Sequence, residues 1–275
     1  MSIYDNNKEL LSVLGVEGNY STDFEVRKAI LNALGGDASM CNSIYEVDLQ
    51  ILKIYQEGGG SGSFVVPDGM KFTNSTLTEF PEGLDFSEVT NFNIMFQYCR
   101  NLTIISHLDT SSGVDFGGMF EFCTSLTEIP QIDVSKGTIF GWMFSGCSSL
   151  TEIPQLDVSK GDYFDRMFVD CRNLITISAL NISSGTNLFG IVLRCNKLEN
   201  ITFVGSINYD ISFDSCIKLT YESVKSILTA CSNTTNTNSK TVTFNRTLTD
   251  QNGELANLIA TCTSKGWTVS GLTLE

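Results

Sequence analysis

Five cysteines, Cys99, Cys123, Cys147, Cys171 and Cys195, fall 24 residues apart, and Cys216 follows after 21. The residues around them keep the same phase. Met-Phe pairs stand four and three positions before the first four (Met95-Phe96, Met119-Phe120, Met143-Phe144, Met167-Phe168). Leu102, Leu126, Leu150, Leu174 and Leu198 stand three after, and Ile105, Ile129, Ile153, Ile177 and Ile201 six after. A fixed period of 20 to 30 residues with locked apolar positions is the mark of a solenoid. Each unit is too short to bury its own apolar side, so units stack and share one core. This predicts an α/β solenoid with parallel strands roughly 4.8 Å apart.

Within a unit, Phe140, Phe144 and Cys147 are spaced i, i+4, i+7, which predicts a short helix with one apolar face. Leu150, Ile153, Leu156 and Val158 predict an extended stretch, with Pro130 and Pro154 at a strand end or kink. Asp-x-Ser-x-Gly closes the unit at 109–113, 133–137 and 157–161, with Asn181 to Gly185 as a variant. The Asp or Asn is expected to cap its own backbone, and the glycine to supply positive φ.

The segments LDFSEVTNFNIMFQYCRNL and MFSGCSSLTEIPQLDVSKG resemble the BspA-like leucine-rich repeat, over roughly residues 77–220. That resemblance implies a curved parallel solenoid of the kind found in bacterial surface proteins and phage structural proteins, adhesive and without catalysis. The pattern departs late: Ile191 and Val192 replace Met-Phe, and Glu222 replaces the isoleucine. These departures read as the worn end of the array.

The chain carries a net charge of −14 with 17% charged residues, which argues against a nucleic-acid partner. It has no 18-residue apolar run, so membrane insertion is not expected. The first residues, MSIYDNNKELLSVLG, lack the basic start and apolar block of a secretory signal, so the expectation is a protein that stays where it is made unless carried out. The nine cysteines are expected to be free and buried, because equivalent side chains in a stack point in parallel rather than at each other. A zinc site is not expected either: there is no CxxC and one histidine.

Residues 1–57 differ from the rest and read as a small all-helical module. Thr22 with Glu25 and Ser43 with Glu46 make capping-box signals. In the third helix Ile44, Val47, Ile51 and Ile54 fall at a/d spacing with Tyr55 beside them, more apolar face than so small a module can cover. This module is either a cap on the repeats or an anchor for docking and self-association. Gly58 to Ser63 opens a flexible linker, placed at 58–66. A cap packed on the array would not need it, which favours the anchor. Helical start, glycine-rich joint and repeat array together resemble phage appendage proteins of gut bacteria, including the crAss-like phages. The repeats are placed at 67–221, with a degenerate first unit around Thr78 to Pro81. A capping unit fills 222–275, with helices near 220–231 and 255–262 and strands near 242–244 and 267–269.

No catalytic constellation is legible: one histidine, no GxSxG, no HExxH and no phosphate loop. The chain is therefore expected to be a non-enzymatic virion component, with a BspA-type bacterial surface adhesin as the alternative. No cofactor is expected. Asp85, Asp109, Asp133 and Asp157 form a ladder that caps turns or, as the alternative, chelates Ca²⁺. The outward positions that vary between units are the binding candidates: Glu128, Glu152, Gln131, Gln155 and His107 on the strand side, and Trp142 beside the helix. Trp142 either packs on a neighbouring unit or offers an aromatic platform to a glycan. Expected partners are virion proteins or a second copy through residues 1–57, and a host surface protein or glycan through the repeats.

Overall fold

The computed structural model describes residues 28–29, 64–66, 68–75, 77–79, 84–105, 107–232 and 239–275. Residues 28–29 are helical; the anchor candidates Ile44, Val47, Ile51, Ile54 and Tyr55 lie outside the described residues. The rest is a repeat-type α/β arrangement of short parallel sheets and two helices. Strand β1 (Phe64–Val65) pairs with β2 (Leu84–Asp85). Strands β3 (Glu152–Ile153), β4 (Thr176–Asn181) and β5 (Asn200–Val204) form a second parallel sheet. Their register advances by 24: Ile153 pairs with Ile177, and Ile177 with Ile201. On the other side of the units a line of parallel bridges joins Asn91, Asp115, Ile139, Tyr163 and Asn187 at the same interval.

The apolar positions that recur in sequence become buried columns. Phe92, Phe116, Phe140 and Phe164 stack with ring centroids 5.4, 5.7 and 5.6 Å apart. Phe72, Phe96, Phe120, Phe144 and Phe168 form a second stack at 5.5 to 5.8 Å. Each offset pair adds about 0.5–1.5 kcal/mol beyond the area it buries. The described cysteines of the array belong to the same core as these stacks and the leucine and isoleucine columns.

The helix expected from the Phe-Phe-Cys spacing is not formed. Its place is taken by two successive four-residue turns. In one unit Met119 N donates to Phe116 O (3.2 Å) and Cys123 N to Phe120 O (3.0 Å). The third residue of each turn has positive φ, Gly118 at 60° and Phe122 at 58°, as a type II turn requires. The alternate N–H groups, of Phe116, Gly118, Phe120 and Phe122, donate instead to Ile139, Gly141, Met143 and Ser145 of the next unit at 2.7–2.9 Å. A helix needs those donors for its own carbonyls. Because each turn spans four residues, the first residue of every turn still faces the core, which reproduces the helical spacing.

The extended stretch is shorter than its apolar run suggested. Among the described residues only Glu152–Ile153 pairs as strand in the third full unit, directly before Pro154, which has no N–H to donate. Where Ser178 replaces the proline, β4 runs for six residues. The glycines that close the units act differently from the expectation. Gly113, Gly137 and Gly161 have no positive φ among the described backbone. They are small because a Cβ would approach the Phe116, Phe140 and Phe164 rings to 2.3, 2.5 and 2.3 Å.

Residues 64–66 are not linker. Val66 is fully buried and its N–H donates to Asp85 O at 2.7 Å, so the chain is already in the stack there. After β5 the last unit carries β6 (Ile211–Ser212). Helix α1 (Tyr221–Ser232), β7 (Lys240–Leu248), α2 (Glu254–Ser264) and β8 (Trp267–Leu274) complete the chain. The sheet β6-β7-β8 is parallel throughout. Phe244 stacks on Phe213 at 5.8 Å, which extends the aromatic packing into this block.

Candidate functional site

The sequence candidates fall on two separate faces. Glu128, Glu152, Gln131, Gln155 and His107 are exposed on the β3–β5 side. The two glutamines form rungs there: Gln131 Nε2 donates to Gln155 O at 2.8 Å, and Gln155 Nε2 to Ala179 O at 2.9 Å. Their amides thus tie neighbouring units together. Trp142 is on the other face, next to the bridge line through Ile139 and Tyr163, and meets none of those five residues in one cavity.

Trp142 borders an open groove of about 490 Å³, with Ile94, Ile139, Tyr163, Glu121 and Asp165 around it. Its floor is Gly117, Gly118 and Gly141. The 24-residue register explains the shape. Ile94, Gly118, Trp142 and Arg166 occupy one column, and Asn93, Gly117, Gly141 and Asp165 the next. Three absent side chains leave a slot between Ile94 on one side and Trp142 with Asp165 on the other. Two unit spacings separate Ile94 from Trp142, roughly 10 Å at the strand repeat.

Trp142 is 37% exposed and holds φ of 62° at the third turn position. The packing reading covers one of its faces. The Arg166 guanidinium lies 4.8 Å from the Trp142 ring centroid and 4.7 Å from that of Phe189. The repeat order puts this stack on the side of Trp142 away from Gly118. Arg166 also meets Asp165 at 3.5 Å, and Glu121 Oε2 accepts from Gln97 Nε2. Ile139, Tyr163, Asp165 and Glu121 were not among the sequence candidates. A signal existed: the column Asn91, Asp115, Ile139, Tyr163, Asn187 varies as freely as the one that contains Trp142.

The acidic ladder is engaged in turns. Asp85, Asp109, Asp133 and Asp157 each accept from the serine N–H two residues on, at 2.9 to 3.1 Å, and Asn181 does the same without charge. Hydrogen bonds from Ser87, Ser135 and Ser159 hold the Asp85, Asp133 and Asp157 carboxyls below the usual carboxylate range. Among the described residues no group of three or more His, Cys, Asp or Glu gathers to hold a metal.

The eight described cysteines are free and buried. The thiols do more than fill space. Cys99, Cys123, Cys147, Cys171 and Cys195 each donate at 3.0 Å to the carbonyl of a phenylalanine 27 residues earlier, from Phe72 to Phe168. Burial pushes the Cys123, Cys147, Cys171 and Cys195 thiols up, and Cys216 to about 12. They remain protonated donors at neutral pH, which makes them poor nucleophiles.

Residues 69–177 match the model of a family described as Mycoplasma protein of unknown function, DUF285. That match is consistent with a BspA-like repeat protein and covers the units that build the groove. No curated protein and no solved structure matches the chain. No described helix is long and apolar enough to cross a membrane.

Proposed function

We propose that the chain is a non-enzymatic bacteriophage virion component: a BspA-like leucine-rich repeat solenoid, joined to a capsid or tail through residues 1–57. In this reading the outward columns make contact with the host, through a surface protein or a glycan. The observation that supports it most is the division between columns. Inward positions repeat the same residue types and are buried, whereas the column at Trp142 runs Ile, Gly, Trp, Arg, Gly. A stack whose core is uniform and whose surface is individual is built to display a surface.

Residues 1–57 serve as the anchor, binding a virion protein or a second copy, and Gly58 to Ser63 let the repeats project. Deleting residues 1–57 in the intact system tests this. The truncated protein should fold and fail to join the particle. Unfolding would make those residues a cap of the repeats, and undiminished joining would move the attachment surface into the repeats.

The family description, which names a cellular bacterium, favours a second reading: a bacterial surface adhesin of the BspA type. Neighbouring genes decide between the two. A portal or major capsid gene beside this one supports the virion component, and a cell-envelope locus supports the adhesin.

A further inference from the structure

The groove at Trp142 has features that a flat display surface lacks. Its bare floor is fixed by packing as well as by sequence. A Cβ on Gly117 would come within 2.8 Å of Asn93 Nδ2, and one on Gly141 within 2.6 Å of Asp165 Oδ1. Its aromatic wall is held from behind by the Arg166–Phe189 stack, so little side-chain freedom remains to be lost on binding. Tyr163, 47% exposed, and Ile139, 37% exposed, add apolar surface along one flank. The Asn93 amide and the Glu121 and Asp165 carboxylates sit at the margins.

Charge narrows the occupant. Glu121 and Asp165 would attract a lysine or arginine side chain, and an aromatic face would hold its cation. Yet Asp165 already pairs with Arg166, and Arg166 already occupies one face of Trp142. A second cation on the opposite face would meet that guanidinium across a single ring. Glu121 has one oxygen committed to Gln97. What remains is an aromatic face for apolar C–H groups and a few acceptors for hydroxyl donors, in a slot roughly 10 Å between its walls. That is the chemistry of a sugar ring: apolar on its face and polar at its edge.

We propose that this groove binds one neutral pyranose residue of a glycan, stacked on the Gly118 side of Trp142 and hydrogen-bonded at its edge by Asn93, Glu121 and Asp165. The site rests on the reading of the outward columns as a ligand surface, and supplies its ligand class.

The test is calorimetric titration of the full chain with the methyl glycosides of glucose, galactose, mannose and N-acetylglucosamine. N-acetyl-lysine methylamide serves as the cationic probe. At least one glycoside should bind with Kd of about 1 mM or lower. Trp142→Ala and Gly118→Asn should each weaken it about tenfold or more. Gly118→Asn is informative because asparagine tolerates the left-handed backbone and its side chain enters the slot with every wall residue retained, its Cβ pressing only on Ile94 Cγ2 at 3.1 Å. Unchanged thermal melting of both variants keeps the loss specific to the groove. Binding by none of the four glycosides, equal binding by wild type and both variants, or preference for the lysine probe overturns the proposal. Particle joining through residues 1–57 is read separately. Loss of sugar binding in Trp142→Ala should leave it intact, and failure to join should leave sugar binding intact.

Discussion

The same apolar spacing folds in two ways within this chain. Phe140, Phe144 and Cys147 in the array, and Leu255, Ile259 and Cys262 near the end, are both i, i+4, i+7. The second trio lies on α2 (Glu254–Ser264), a regular helix. The first lies on two tight turns whose alternate N–H groups reach the next unit. The difference is in what stands between the apolar positions and in what lies alongside. Between Leu255 and Cys262 are Ala256, Asn257, Leu258, Ala260 and Thr261, which allow a continuous helix, and Asp250 accepts the N–H groups of Leu255 and Ala256 at its start. In the array the third turn positions demand positive φ, met by Gly118, Gly146 and Gly190 at low cost and by Ile94, Trp142 and Arg166 at some strain. Carbonyls of a neighbouring unit stand ready for the donors. Spacing sets which side is buried; the partner of each N–H sets the local structure.

The largest expected effect comes from the columns. Phe144→Ala removes the fourth ring of a five-ring stack and should lower unfolding free energy by about 3–5 kcal/mol, read by chemical denaturation. A loss under about 1 kcal/mol would mean the ring is not in the core. Next comes a pair of glycines that separates the two regions. Gly137→Ala drives a methyl against the Phe140 and Phe116 rings, at 2.5 and 2.9 Å, and should cost about 1–3 kcal/mol as overpacking does. Gly253→Ala, before α2, meets nothing within 4 Å. It should cost only the strain of its φ of 67°, about 1 kcal/mol. Equal costs would remove the distinction between a glycine kept for space and one kept for conformation.

Smaller effects sharpen the contrast in backbone. Ile94 holds φ of 50°, an outlier for a β-branched residue. Ile94→Gly should relieve strain and offset the contacts it loses, leaving stability within about 1 kcal/mol of wild type. Ile259→Gly in α2 has no strain to relieve and should cost more than about 1 kcal/mol. The smallest effect is acid sensitivity. The Asp85, Asp133 and Asp157 carboxyls are held low in the folded chain. Their contribution is present above the unfolded value, about 3.9, and is lost as pH falls from there through the folded values. Asp133→Asn with Asp157→Asn should reduce the fall in melting temperature between pH 5 and pH 3, about the unfolded carboxylate range. Asn181 shows that the amide makes the same turn. An unchanged slope would mean those carboxylates carry none of it.

The core was legible because burial is imposed by period: every Phe, Met, Cys, Leu and Ile column named from spacing is buried where described. The C-terminal block was legible for the same reason, with helices and strands where α1, β7, α2 and β8 lie, although β7 and β8 run several residues longer. The turns were not, since a four-residue step imitates a helical one and positive φ leaves no mark when isoleucine or tryptophan bears it. The groove was half legible. Trp142 stood out as a large residue among small ones, but the slot is made by absent side chains in two adjacent columns, and a glycine leaves no sign in the sequence of whether its neighbours fill the space beside it. Glu128, Glu152, Gln131, Gln155 and His107 vary as outward residues do, yet they face a different side from the groove.

The array closes its backbone between units and not within helices. Couplings across hydrogen bonds, from amide nitrogen to carbonyl carbon, measure this directly by nuclear magnetic resonance on the perdeuterated chain. Couplings are expected from Phe116, Gly118, Phe120 and Phe122 to Ile139, Gly141, Met143 and Ser145, the pairs that close at 2.7–2.9 Å. Couplings from Phe120 to Phe116 and from Cys123 to Met119, the pattern of a helix, would contradict it.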